Sequence, residues 1–220
     1  MFFRYTSCSG AARAGDLDEL KRMHKNGCGW DNTTTSLAAK YGHLECLKYA
    51  HANGCFLTGV TIENAAERGH LDCLQYSVEN YGFISKWAPA LAAKHGHLDC
   101  LKYLHDKNCY WDLNTPAYAA GTGHLDCLKY AIENGCEWNV YAPANASFGG
   151  YLDCFKYCFE KLNDPQGFWN YEYELTKMLP KIDLSDPFWD HLFKVDLSNN
   201  PKLEAKVREK KRQQREEETC

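Results

Sequence analysis

Apolar residues along the chain fall in blocks with helical spacing. In residues 98–105, Leu98, Leu101, Leu104 and His105 stand at i, i+3, i+6 and i+7, one stripe on a helix, with Asp99 in the first turn where a carboxylate complements the dipole. Immediately upstream, Ala88-Pro89-Ala90-Leu91-Ala92-Ala93-Lys94-His95-Gly96 predicts a shorter helix, since proline suits a first turn and glycine a left-handed end. Almost no chain separates the two, so they must run antiparallel. The longer helix stops at Asn108, where other copies of the block have Gly27, Gly54 and Gly135.

The block recurs every 27 residues, marked by Gly15, Gly42, Gly69, Gly96, Gly123 and Gly150, and four of these glycines begin the word Gly-His-Leu-Asp/Glu-Cys-Leu. A fixed period of this size predicts a solenoid. Each unit then buries its apolar face only by stacking on its neighbours, which makes a long curved surface and no enclosed pocket. That favours a binding scaffold over an enzyme. The pairs Ala11-Ala12, Ala38-Ala39, Ala65-Ala66, Ala92-Ala93 and Ala119-Ala120 let the shorter, inner helices approach closely. The expected fold is therefore all-α, an α-solenoid of six helix-turn-helix units with a helical C-terminal cap.

On this reading residues 1–162 are the array, 163–200 an aromatic capping segment and 201–220 a charged tail. The sixth unit decays into Phe148-Gly149-Gly150-Tyr151, and Leu162-Asn163-Asp164-Pro165 breaks the pattern. Residues 168–193 carry Phe168, Trp169, Tyr171, Tyr173, Phe188, Trp189 and Phe193, too aromatic for a free linker, and are expected to fold over the last unit. From Lys202 to Thr219 the run is almost wholly polar and predicts a solvated helix or tail. Its Lys210-Lys211-Arg212 has the character of an import signal, diluted by Glu209 and Glu216-Glu217-Glu218.

Composition narrows the function. A net charge of −4 over 220 residues gives no general affinity for nucleic acid, and no apolar stretch is long enough for a membrane. Met1-Phe2-Phe3-Arg4-Tyr5 is too short and too soon polar for a secretory signal, so a cytoplasmic protein is expected. The 12 cysteines follow the repeat: Cys46, Cys73, Cys100, Cys127 and Cys154 share one position, and Cys28, Cys55, Cys109 and Cys136 another. Packed helices lie roughly 8–10 Å apart, too far for equivalent thiols to pair or share a zinc. His43 and Cys46 do fall on one helix face, but nothing supplies further ligands. No metal, no cofactor and no catalytic set is expected; the thiols serve as small buried hydrophobes.

Thr115-Pro116, Ala119-Ala120, Gly123-His124-Leu125-Asp126 and Gly135-Cys136 stand in the order of an ankyrin repeat, and the chain resembles an ankyrin-repeat protein over roughly residues 7–162. The unit is 27 residues against the family's usual 33. The missing residues come mostly from the loop between Cys136 and Ala142 and its equivalents, so the projecting hairpin fingers should be trimmed or absent. Short Cys-rich units of this kind resemble arrays of large DNA viruses of amoebae and of protists, which would place the chain in a host cytoplasm.

The resemblance implies that His43, His70, His97 and His124 bond neighbouring backbone. Trp30, Leu57, Ile84, Trp111 and Trp138 share a loop position that reads as a plug over helix ends, and Tyr49, Tyr76, Tyr103, Tyr130 and Tyr157 read as half-buried packing. Specificity should lie where units disagree. In ankyrin proteins the two residues before the turn glycine line a concave groove; here they include Arg13, Lys40, Tyr41, Glu67, Arg68, Lys94, His95, Thr122 and Phe148. Their aromatic and arginine character suits contact hot spots. The implied function is a non-enzymatic scaffold, monomeric, binding a protein partner. The alternative is a ubiquitin-ligase substrate adaptor, from a faint F-box-like character at Leu179-Pro180-Lys181-Ile182.

Overall fold

Six copies of one tight turn organise the chain. In the computed structural model, which describes residues 4–31, 33–138, 141–161, 178–182, 186–189 and 201–218, every regular element is helical. The inner helices are α1 (Cys8–Ala14), α3 (Thr34–Lys40), α5 (Gly59–Arg68), α7 (Ala88–Lys94), α9 (Asn114–Thr122) and α11 (Tyr141–Gly149). Each is followed by an outer helix: α2 (Leu17–Lys25), α4 (Leu44–Ala52), α6 (Leu71–Tyr81), α8 (Leu98–Asp106), α10 (Leu125–Glu133) and α12 (Leu152–Lys161). No helix among the described residues is long and apolar enough to cross a membrane.

The turn glycines hold φ between 72° and 82°, the left-handed conformation that a side chain disfavours. The residue after each glycine donates its amide back to the first alanine of the pair, as His97 does to Ala92 at 2.9 Å and His124 to Ala119 at 2.9 Å, which closes the inner helix in a Schellman motif. All five alanine pairs are fully buried. The same glycines serve a second purpose. The ring of His43 packs on Gly15, that of His70 on Gly42, that of His97 on Gly69 and that of His124 on Gly96, so each histidine roofs the turn of the preceding unit. His97 Nε2 also bonds the Glu67 carbonyl at 3.1 Å, in the manner the resemblance implies.

The sixth unit departs from the expected decay. Tyr151 takes the histidine's place and lays its ring against Gly123, and Gly150 keeps a φ of 76°, so α11 and α12 form a whole unit. The α8 boundary falls just short of the expected stop: the helix ends at Asp106, and Asn108 adopts a φ of 55° as the only described non-glycine residue with a positive angle.

Outer helices are joined by an aromatic device. His24 Nδ1 meets the Tyr49 hydroxyl at 3.1 Å, His51 meets Tyr76 at 2.9 Å, and His105 meets Tyr130 at 2.9 Å. Trp30 stacks on His24 at 4.2 Å between ring centres and Trp111 on His105 at 4.3 Å, which bears out the plug over helix ends. The third unit breaks the series, because Val78 stands where the histidine would be and the buried Tyr103 hydroxyl has no hydrogen-bond partner among the described residues. Tyr103→Phe is therefore expected to be neutral or slightly stabilising, whereas Tyr130→Phe should cost about 1 kcal/mol. Paired urea titrations check this; equal losses at both positions would show that the histidine contact has no net worth.

The cysteines pack as expected. The first series is buried in the core, and burial pushes the Cys100 and Cys73 thiols up to about 12. In the second series Cys55, Cys109 and Cys136 donate to the carbonyls of Asp31, Ser85 and Asp112 in the preceding unit, at 3.7, 3.8 and 3.4 Å. Such thiols are poor nucleophiles at neutral pH.

Beyond α12, Trp189 is buried and stacks on Phe155 at 5.6 Å, Phe188 meets Phe159 edge-on at 5.6 Å, and Met178, Leu179 and Ile182 join the same core. Phe168, Trp169, Tyr171, Tyr173 and Phe193 lie outside the described residues. The charged run forms α13 (Pro201–Glu218). It is not solvated all round: Val207 is buried, and Lys210 Nζ donates to the Pro180 carbonyl at 3.4 Å. Leu203, Ala205 and Val207 are too few in so charged a run to make a clear apolar stripe, which is why the tail reads as solvated in the sequence.

Candidate partner-binding face

The two helical layers differ in what they show to solvent. Among the described residues, the exposed large apolar side chains Tyr41, Phe56, Val60, Phe83, Trp87, Tyr110, Leu113, Tyr118, Tyr141 and Phe148 lie on inner helices, at their ends or in the loops that lead into them. The outer layer adds Tyr81 at the end of α6, and Tyr151 sits at the last turn. Packing explains the asymmetry. An inner helix buries its alanine pair against its neighbours and leaves only residues such as Lys94 and Tyr118 at the surface, while outer helices turn charged residues such as Asp72, Asp99 and Lys102 to water. Exposed apolar surface gathered on one face makes this side the candidate contact site.

All nine residues singled out from the sequence are at least partly exposed on that side. Arg13 and Lys40 stand before the first two turns, and the Arg13 guanidinium lies 5.2 Å from the Tyr41 ring centre. Arg68 pairs with Glu67 at 3.3 Å, an exposed contact worth little by itself. Lys94 Nζ lies 5.7 Å from the Tyr118 ring centre. Burial holds the His95 imidazole below its ordinary range, opposed by Glu67 and aided by Lys94, Arg68 and His124. Those causes gather Glu67, Arg68 and Lys94 around His95. Thr122 donates its hydroxyl to the Tyr118 carbonyl at 2.7 Å, which ties it to its own helix. Phe148 is 75% exposed at the far end of the row.

Sequence reasoning missed a second row. Phe56, Phe83 and Tyr110 recur at 27-residue spacing in the loops, and Val60, Trp87 and Tyr141 recur near the starts of the inner helices. The signal was present: each of Phe56, Phe83 and Tyr110 immediately precedes a plug residue, and in an extended segment neighbouring side chains point to opposite sides. As Leu57, Ile84 and Trp111 pack against the core, their predecessors face out. The loops themselves are short and hold no strand among the described residues, in keeping with trimmed fingers.

The face carries a pH-sensitive element. Burial holds His97 below the ordinary histidine range, opposed by its bond to the Glu67 carbonyl and aided by the neighbouring His95, His124 and His70. A depressed pKa means that the unfolded chain binds protons more readily. The stabilisation is present above the unfolded value of about 6.5 and is lost as pH falls through the folded one. Urea midpoints should drop on acidification below that value, and less so in His97→Gln; a midpoint that holds or rises would contradict it.

Among the described residues, no three His, Cys, Asp or Glu side chains come together as a metal site. Residues 62–142 match the family model for ankyrin repeats, in three copies. The fold is similar to the ankyrin repeat domain of human ASB11 in its crystal structure, with a TM-score of 0.62 and 18% identity over 74% of this chain and 86% of that one. No curated protein matches. The architecture is thus an ankyrin-repeat solenoid, built from units of 27 residues.

Proposed function

We propose that this chain is a non-enzymatic scaffold that binds a protein partner along the concave face formed by its inner helices. The observation that carries this is the segregation of exposed aromatics: Phe56, Phe83, Trp87, Tyr110, Tyr118 and Tyr141 lie on the inner-helix side in successive units. Beside them runs a row of cations, Arg13, Lys40, Arg68 and Lys94, which adds electrostatic selectivity to an apolar surface. Residues 1–162 are the binding array, the segment 163–200 closes its end through contacts such as Trp189 on Phe155, and 201–220 is an appendage to that cap. Such a scaffold needs no cofactor, nucleic acid or membrane, and one copy of the chain suffices.

Lysines stand on both faces, so cross-linking mass spectrometry of the captured complex tests the reading. Lys40, Lys86 and Lys94 on the inner side should carry the cross-links to the partner. Cross-links confined to Lys48, Lys102 and Lys129 on α4, α8 and α10 would overturn it. The adaptor alternative relies on Leu179 and Ile182, and both are buried in the core beside Met178 and Trp189. Their apolar side chains already have a packing role, which weakens that reading.

A further inference from the structure

At the fifth and sixth units the inner face opens into a cleft of about 320 Å³ whose lining includes Tyr110, Tyr118, Tyr141, Asp112, Glu137 and Asn145. Three phenol rings and two carboxylates thus share one space, and no lysine or arginine is among the described residues that line it. Tyr110 is 69% exposed, so its ring is open to a ligand. Both acidic residues line the same cleft, and the backbone at Asp112 is held there by Cys136, whose Sγ donates to the Asp112 carbonyl at 3.4 Å.

The polar groups are partly committed, and what is left over is acceptor capacity. Asp112 Oδ1 accepts the Asn114 amide at 2.9 Å and Oδ2 accepts Asn114 Nδ2 at 3.0 Å, which fixes the carboxylate yet leaves further lone pairs. The Glu137 carboxylate has no hydrogen bond or ion pair among the described residues. Asn145 Nδ2 donates to the Ala117 carbonyl at 3.2 Å, leaving Oδ1 as an acceptor. One ring already attracts a cation of the chain itself, as Lys94 Nζ stands over Tyr118.

We propose that this cleft holds an arginine side chain from a basic peptide segment of the partner. A guanidinium is planar, so it stacks on a phenol face, and its five donors match two carboxylates and an amide oxygen at once. An ammonium offers three donors and no planar face. An apolar side chain would cover the carboxylates and give them nothing in return. The proposal rests on the concave-face reading and adds the chemistry of one partner side chain.

Titration of the isotope-labelled full chain with the blocked tripeptide acetyl-Gly-Arg-Gly-amide, followed by amide NMR shifts, tests it without a known partner. Saturable shifts are expected at residues 110–118, 137 and 141. The citrulline tripeptide, which keeps the shape and loses the charge, should give little response, and the lysine one a weaker response. Glu137→Gln should weaken the arginine peptide about fivefold, as should Tyr110→Ala; both side chains are exposed, and an unchanged melting temperature confirms that the fold is kept. No saturable shift, shifts confined to other residues, or equal responses to arginine and citrulline would overturn the proposal. The groove reading is tested at Tyr41, Arg68 and His95, away from this cleft, so it can stand if the arginine site fails.

Discussion

Gly96→Ala should cost about 3 kcal/mol or more, while Gly135→Ala, at nearly the same backbone angle, should cost only about 1 kcal/mol. The two glycines have φ of 76° and 82°, so both substitutions place an L side chain in the left-handed region. Their surroundings differ. A Cβ on Gly96 would stand 2.5 Å from His124 Nδ1 and 2.6 Å from Cε1, so the ring that joins two units must move. A Cβ on Gly135 meets nothing within 4 Å. Urea titration of the two variants separates conformational strain from inter-unit contact. Equal losses would mean that the histidine roof contributes nothing and that the glycines are needed for the turn alone.

The second large effect is in the core. Leu101 of α8 is fully buried in the central fourth unit, so Leu101→Ala should cost roughly 2–5 kcal/mol through lost contacts and the cavity left behind. Arg215→Ala on the exposed side of α13 should change stability by less than about 0.5 kcal/mol. Because each unit contacts only its neighbours, the Leu101 variant should also broaden the unfolding transition as the array loses coupling at its middle. Comparable losses at Leu101 and Arg215 would show that core and appendage have been misassigned.

The sequence made the array legible because its signals were redundant. Turn glycines, alanine pairs and an outer stripe such as Leu98, Leu101 and Leu104 all repeat in register, and each is a direct consequence of helix geometry. Cys100 and Tyr130 could be placed by register alone. What the sequence hid lies where that geometry gives no rule. Phe56, Phe83 and Tyr110 keep the 27-residue period, but an extended loop gives no helical stripe to say which of two neighbouring apolar residues faces out, so they are hidden beside the plug positions although they prove the more exposed row. Tyr151 replacing a histidine looked like decay, because the role of the ring over a glycine in the preceding unit is visible only in three dimensions. The cleft beside Tyr110 and Tyr141 joins residues about thirty positions apart, and register alone does not say that their rings share one space.

The claim that matters most is that the inner-helix face is the working one. Tyr41, Arg68 and His95 occupy successive copies of one position and are all exposed, so on the proposed reading they line the groove without supporting the core. Once a partner is captured, the decisive measurement is its affinity for Tyr41→Ala, Arg68→Ala, His95→Ala in one chain, with the melting temperature as control. Binding should weaken by at least about 2 kcal/mol, with melting nearly unchanged. Affinity that survives this triple change, and falls instead on replacing Trp111 or Trp138 in a chain that still folds, would contradict it and move the working face to the loop edge.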